Sequence, residues 1–202
     1  AKIKKALEEL YATENGNKPS FEHETIPVDN SNVAESHETI RKHIARINQK
    51  AILLGGDHSI SYPAIKGFAQ NNPDFKLLVF DAHPDTVNDF KPPTQEDYLR
   101  VLIGEGIIRP ENVLIVGIRN WDEIEKRFLD ENNIRFINSK ELIERGIAEI
   151  ATEIKEFVDR KTYLSFDIDV VDPVEAIGTG YIEHGGLSSR EAIYLVQTAI
   201  ST

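Results

Sequence analysis

Cysteine and methionine are both absent from the 202 residues, and tryptophan occurs once. Without cysteine there is no disulfide, no thiolate nucleophile and no zinc–thiolate site, so any metal must be held by histidine and carboxylate. Basic residues are also scarce, 23 against 34 acidic ones, for a formal net charge of -11. That balance argues against the clustered basic face of a nucleic-acid binder and against docking on an anionic membrane. No apolar run approaches the roughly 18 residues of a spanning helix, and no secretory apolar segment lies near Ala1. The expectation is a cytoplasmic protein whose partners are small molecules, with no nucleic acid and no membrane. Hydrophobic residues at 40% beside 28% charged ones are ordinary globular composition.

The chain shows no internal repeat, low-complexity tract or Pro/Gly-rich linker, so it reads as one domain. Lys2 to Ala12 carries Ile3, Leu7, Leu10 and Tyr11 at helical spacing. Phe21 to Val28 alternates and contains Pro27, which predicts an edge strand. A helix is predicted from the Asp29–Asn32 turn to about Gln49, with Ile40, Ile44 and Ile47 on its stripe. From Ala51 the pattern changes to short apolar strands alternating with amphipathic helices. Strands are expected at Ala51–Leu54, Lys76–Phe80, Val113–Ile118, Arg135–Ile137 and Tyr163–Phe166. The last helix should open at Ser188, which has capping-box spacing to Glu191. Strands that are continuously apolar and alternate with helices imply a mainly parallel sheet covered on both faces.

In such a sheet, ligands bind beyond the carboxyl ends of the strands. Three of these ends are dense in metal-type ligands. Gly55-Gly56-Asp57-His58-Ser59 follows the first, Asp81-Ala82-His83-Pro84-Asp85 the second, and Asp167-Ile168-Asp169-Val170-Val171-Asp172-Pro173 the last. Alternate residues of an extended stretch share one direction, so Asp81, His83 and Asp85 can converge, as can Asp167 and Asp169. Taken singly, each motif has an ordinary structural explanation as a turn or helix cap. Together, four carboxylates at one sheet edge would repel unless cations neutralised them. Their charge of -4 matches two divalent ions, and His58 and His83 add neutral imidazoles. Histidine and hard oxygen ligands without sulfur favour manganese over iron, cobalt or zinc.

In order and spacing these motifs closely resemble the ureohydrolase family, which includes arginase and agmatinase. Ser165 precedes the third motif as the family pattern requires, and Gly178-Thr179-Gly180 with Gly185-Gly186-Leu187-Ser188-Ser189-Arg190-Glu191 continues the likeness. The resemblance runs from about Ala51 to Glu191. It implies a three-layer α/β/α sandwich and two Mn2+ per chain. It also implies a guanidinium or amidine substrate hydrolysed by metal-generated hydroxide with release of urea, and a homo-oligomer, trimer or hexamer. Carried over, His58 and Asp85 hold one metal, His83 and Asp169 the other, and Asp81 and Asp167 bridge both. Asp57 and Asp172 are assigned to structure.

The family's proton-carrying histidine has no counterpart in Asn88–Glu96, and Gln95 cannot carry a proton at neutral pH. The catalytic proton carriers are therefore expected to be Asp85 and, in the glycine-rich loop, His184, with Glu183 or bulk water as alternatives. The likeness also leads us to expect the middle two thirds of a family member, without its opening strand or its late glutamate-bearing strand. Two further activities stay open: a catalytically silent metal-binding relative, and a hydrolase of another C–N bond. His23, His37 and His43 are expected on solvated faces, and Trp121 in core or interface.

Overall fold

The computed structural model describes residues 2–9, 11–12 and 16–201. Four parallel strands form the sheet: β1 (Lys76–Phe80), β2 (Val113–Ile118), β3 (Arg135–Asn138) and β4 (Thr162–Phe166), in the order β3-β2-β1-β4. The helices are α1 (Lys2–Glu8), α2 (Val33–Ile44), α3 (Ser61–Ala69), α4 (Tyr98–Gly104), α5 (Glu123–Glu131), α6 (Ser139–Arg145), α7 (Ile147–Phe157) and α8 (Ser189–Ile200).

The two-residue period of β1 and β2 builds both faces of the core. Leu78, Phe80, Leu114 and Val116 point to one side, where Leu142, Ile150, Ile154 and Leu195 of α6, α7 and α8 cover them. Leu77, Val79, Val113 and Ile115 point to the other, against Ile65, Leu99, Leu102 and Leu129 of α3, α4 and α5. The result is the three-layer α/β/α sandwich with a parallel sheet. Each fully buried aliphatic side chain contributes about 1.5–3 kcal/mol. Trp121 packs at the margin of the second layer, with its ring 5.7 Å from that of Phe136.

Helix ends follow local chemistry. Asn32, Asn138 and Ser188 each accept a backbone hydrogen bond at the start of α2, α6 and α8, and the Ser188–Glu191 capping box is formed. α2 packs so closely on α3 that a Cβ on Gly67 would lie 2.5 Å from the carbonyl oxygen of Arg41. α2 ends at Ile44, short of the expected Gln49. α4 starts at Tyr98, and the residue before it, Asp97, is turned inward to hold a loop. There it accepts from the backbone N–H of Asn88 and from the Thr94 hydroxyl. Within the described residues, α1 covers Lys2–Glu8; Leu10 of the expected stripe lies outside them.

Two expected strands are corrected. Phe21–Val28 and Ala51–Leu54 are extended or irregular but belong to no ladder among the described residues. Ile52 is 77% exposed. A strand exists only through its neighbour, and an apolar run cannot specify that neighbour. The histidine expectations change too. His23 is exposed, but His37 and His43 are half-buried, His37 against the Tyr62 ring at 5.7 Å and His43 with Nδ1 2.9 Å from the Thr39 carbonyl oxygen.

Candidate metal centre

The carboxyl ends of β1 and β4 lie side by side, and the ladder runs one residue past each. Asp81 donates its backbone N–H to Val116 and Asp167 donates its own to Phe80. Their side chains therefore emerge next to one another at the sheet edge. Asp167 then caps a single 3-10 turn, Ile168–Val170, by accepting the N–H of Asp169 at 3.0 Å. That turn swings Asp169 back beneath β1, where it accepts the N–H of Ala82 at 3.1 Å.

His58 arrives from a separate 3-10 turn, His58–Ile60, opened by Asp57 accepting the N–H of Ser59 at 3.0 Å. Its ring packs on Tyr98 with centroids 4.5 Å apart. Nε2 lies 2.9 Å from the Ser165 hydroxyl, which leaves Nδ1 aimed at the carboxylates: 2.7 Å from Asp85, 2.9 Å from Asp81 and 3.4 Å from Asp167. His83 faces inward through Nδ1, 3.1 Å from Asp169 and 3.6 Å from Asp81. Asp85 reaches the group from a backbone φ of +53°, a left-handed conformation that costs a non-glycine residue about 1–2 kcal/mol. The loop is held there by the next residue, Thr86, whose N–H donates to the buried Glu125 carboxylate at 3.0 Å.

The six residues expected from the motifs thus converge. Two subsets, His58/Asp81/Asp167 and Asp81/His83/Asp169, each bring potential ligand atoms within 4.8 Å of one another, and Asp81 belongs to both. Asp81, Asp85 and Asp169 are 1%, 6% and 4% exposed.

Charges at this density reshape the titration of His58, Asp81, His83, Asp85 and Asp167. Burial and the neighbouring Asp81 charge push Asp85 up to about 8. Burial, with the Asp169 charge, also raises Asp167. Burial acts the same way on Asp81, but hydrogen bonds from His58 and His83 outweigh it and lower that carboxyl. Burial opposes charge on His83, yet Asp169 and Asp81 overcome it and lift the imidazole to about 11. His58 is raised well above its ordinary value by Asp81 and Asp85 against the same opposition.

The fit to divalent cations rests on this donor set. One carboxylate oxygen each of Asp81 and Asp85 is buried without an aligned hydrogen-bond donor, although His58 Nδ1 stands 2.9 and 2.7 Å away. Buried, unsatisfied carboxylate oxygens beside inward-facing imidazole nitrogens suit a hard dication that accepts both ligand types.

His184 is placed differently. It is exposed, and its charge acts on Asp172. The residue before it, Glu183, turns inward instead, with Oε1 3.5 Å from His83 Nε2. Asp172 closes the loop by accepting the N–H groups of Val174, Gly185 and Gly186. Gly186 is required by crowding, since a Cβ there would sit 2.6 Å from the Asp172 nitrogen. The motifs gave no role to Ser165, Tyr98 or Glu125. Ser165 was visible within its motif, whereas Glu125 reads in sequence only as the third residue of a helix cap.

A model of the arginase family matches residues 2–201. The chain is 30% identical over 167 residues to an arginase of Staphylococcus aureus (strain COL), covering 74% of this chain and 55% of that protein. It is 30% identical over 176 residues to an agmatinase of Bacillus subtilis (strain 168), covering 86% and 59%. The crystal structure of formimidoylglutamase from Bacillus subtilis superposes with a TM-score of 0.84 at 26% identity, covering 93% of this chain and 63% of that one. The chain therefore spans somewhat more than half the length of the curated relatives it matches.

Proposed function

The chain belongs to the arginase family, and from that premise we propose that it is a manganese-dependent hydrolase of a guanidinium or amidine C–N bond, releasing urea. The observation that carries the reading is the convergence of His58, His83, Asp81, Asp85, Asp167 and Asp169 at one sheet edge, with Asp81 common to both ligand groups. His58 and Asp85 would hold one Mn2+ and His83 and Asp169 the other, with Asp81 and Asp167 between them. The absence of sulfur ligands and the mixture of imidazole and carboxylate support manganese. When bound, the ions supply Lewis acidity and lower the pKa of solvent at the site.

The chain's own groups do the rest. The carboxylates orient water toward the planar carbon of a small guanidino substrate. Asp85 carries a proton to the departing amine, and general acid help of this kind is worth ~10²–10⁴-fold. His184 is the proposed second carrier from the exposed side of its loop. An unchanged kcat for His184→Ala between about pH 6 and 10 would remove it from the mechanism. The reading extends to a cytoplasmic protein and, by likeness to the family, to a homo-oligomer, trimer or hexamer. No helix among the described residues is long and apolar enough to cross a membrane.

The test is turnover with and without Mn2+ across arginine, agmatine, guanidinobutyrate and formiminoglutamate. Manganese-dependent release of urea from a guanidino substrate, or of formamide from formiminoglutamate, supports the proposal. Amine release with neither product points to another C–N bond. Metal binding without turnover leaves a silent relative. Asp81→Ala and Asp167→Ala should each lose both metals by elemental analysis, and undiminished occupancy in either would overturn the bridging assignment.

A further inference from the structure

We infer that Glu183 is a positioning residue for His83, acting on the imidazole nitrogen that faces away from the carboxylates. His83 presents Nδ1 to Asp169 and Asp81, while its other nitrogen, Nε2, lies 3.5 Å from Glu183 Oε1. The same oxygen accepts a hydrogen bond from Asn120 Nδ2 at 2.7 Å, which fixes where the carboxylate stands. The Arg119 guanidinium donates to the Glu183 carbonyl oxygen at 2.7 Å and also to the carbonyl oxygen of Asp169. One side chain thus ties the Glu183 loop to the stretch that carries Asp169. Two residues before Glu183, the Tyr181 ring meets the His83 ring edge-on at 5.7 Å. His83 is therefore bounded by the carboxylates at Nδ1, by Glu183 at Nε2 and by Tyr181 at its edge.

A neutral imidazole can ligate a cation through one nitrogen only when the other carries the proton. An acceptor beside that second nitrogen selects the tautomer, holds the ring plane and makes the ligating nitrogen more basic. The two histidines of the centre differ in this respect. His58 has a neutral acceptor, the Ser165 hydroxyl. His83 has a carboxylate, which strengthens ligand basicity further. The two cation positions are therefore unequal, and the one served by His83 depends on the loop 177–186.

This inference rests on the two-metal reading above, so the parent protein is the control. Mn2+ alone is titrated into metal-free protein by calorimetry, with elemental analysis after dialysis. Glu183→Ala should retain one site at parental affinity and weaken the other by about 10–100-fold, the usual size of such an effect. Glu183→Gln keeps the Asn120 contact and a neutral acceptor, so its loss should be smaller, several-fold at the same site. Parental affinity at both sites in Glu183→Ala, or equal weakening of both, overturns the inference. Should Glu183→Ala fail to fold, Glu183→Gln decides alone, since unchanged affinity at both sites overturns the inference there too. A parent protein that binds no Mn2+ overturns the two-metal reading itself, and this inference with it.

Discussion

His58 and Ser165, 107 residues apart in the chain, meet with Nε2 and Oγ 2.9 Å apart. Ser165 stands one residue before the end of β4 and faces the turn that carries His58, and its hydroxyl lies 3.3 Å from that of Ser61. The contact points the opposite nitrogen of His58 into the carboxylates. On the two-metal proposal, Ser165→Ala should leave the fold intact and weaken one of the two proposed Mn2+ sites by about 10–100-fold. Equal metal affinities in variant and parent, by calorimetric titration, would refute the role.

The crowded acids and imidazoles make metal-free protein sensitive to pH in a defined direction. His83 is lifted from an ordinary 6.5 to about 11, so the stability of its charged pairs is present below about 6.5 and lost as pH rises toward 11. Asp85, raised from 3.8 to about 8, likewise keeps its proton longer in the folded chain. In both cases the folded state binds more protons than the unfolded one, so stability falls as pH increases. Divalent cations bound as proposed would displace those protons. The melting temperature of metal-free protein should drop between about pH 6.5 and 9, and the gain on adding Mn2+ should grow over the same interval. Scanning calorimetry at several pH values, with and without Mn2+, checks both trends.

Tyr181 joins two loops at the rim of the centre. Its hydroxyl donates to Glu96 at 2.9 Å while its ring rests against His83. Tyr181→Phe removes only the bridge, worth about 0.5–1.5 kcal/mol. If substrate is enclosed beneath this bridge, KM should rise by roughly 2–10-fold with kcat little changed. A fall in kcat with constant KM would instead place the hydroxyl in the chemistry.

In the core, Leu114 is fully buried between β1, β3 and the helices on one face. Leu114→Ala should cost about 2–5 kcal/mol, with a fall in melting temperature of roughly 2–4 °C for each kcal/mol. Thermal denaturation measures it. Mn2+ affinity of the folded fraction should not change, which separates this variant from those at the site.

The six metal-type residues were legible because β-strands alternate and three motifs end three apolar runs. The supports around them were not. Glu125 reads as a capping residue of α5, and only folding brings its carboxylate to the Thr86 N–H beside Asp85. His184 and Glu183 are neighbours in the same loop, and nothing in the sequence says which one turns inward. The chain path does, because Arg119 holds the Glu183 carbonyl and Asp172 holds the two glycine N–H groups.

By itself the sequence determined the layered α/β architecture, the parallel sheet and the clustering of carboxylate and imidazole at its carboxyl edge. Those follow from local periodicity and from the rule that buried like charges need a counter-charge. Only the tertiary structure decided whether an apolar run became a strand, as Lys76–Phe80 did and Ala51–Leu54 did not. It alone also decided which nitrogen of each histidine faces the carboxylates. Both outcomes depend on partners distant in the chain, a neighbouring strand in one case and Ser165 or Glu183 in the other, and pairing over such distances leaves no periodic trace in sequence.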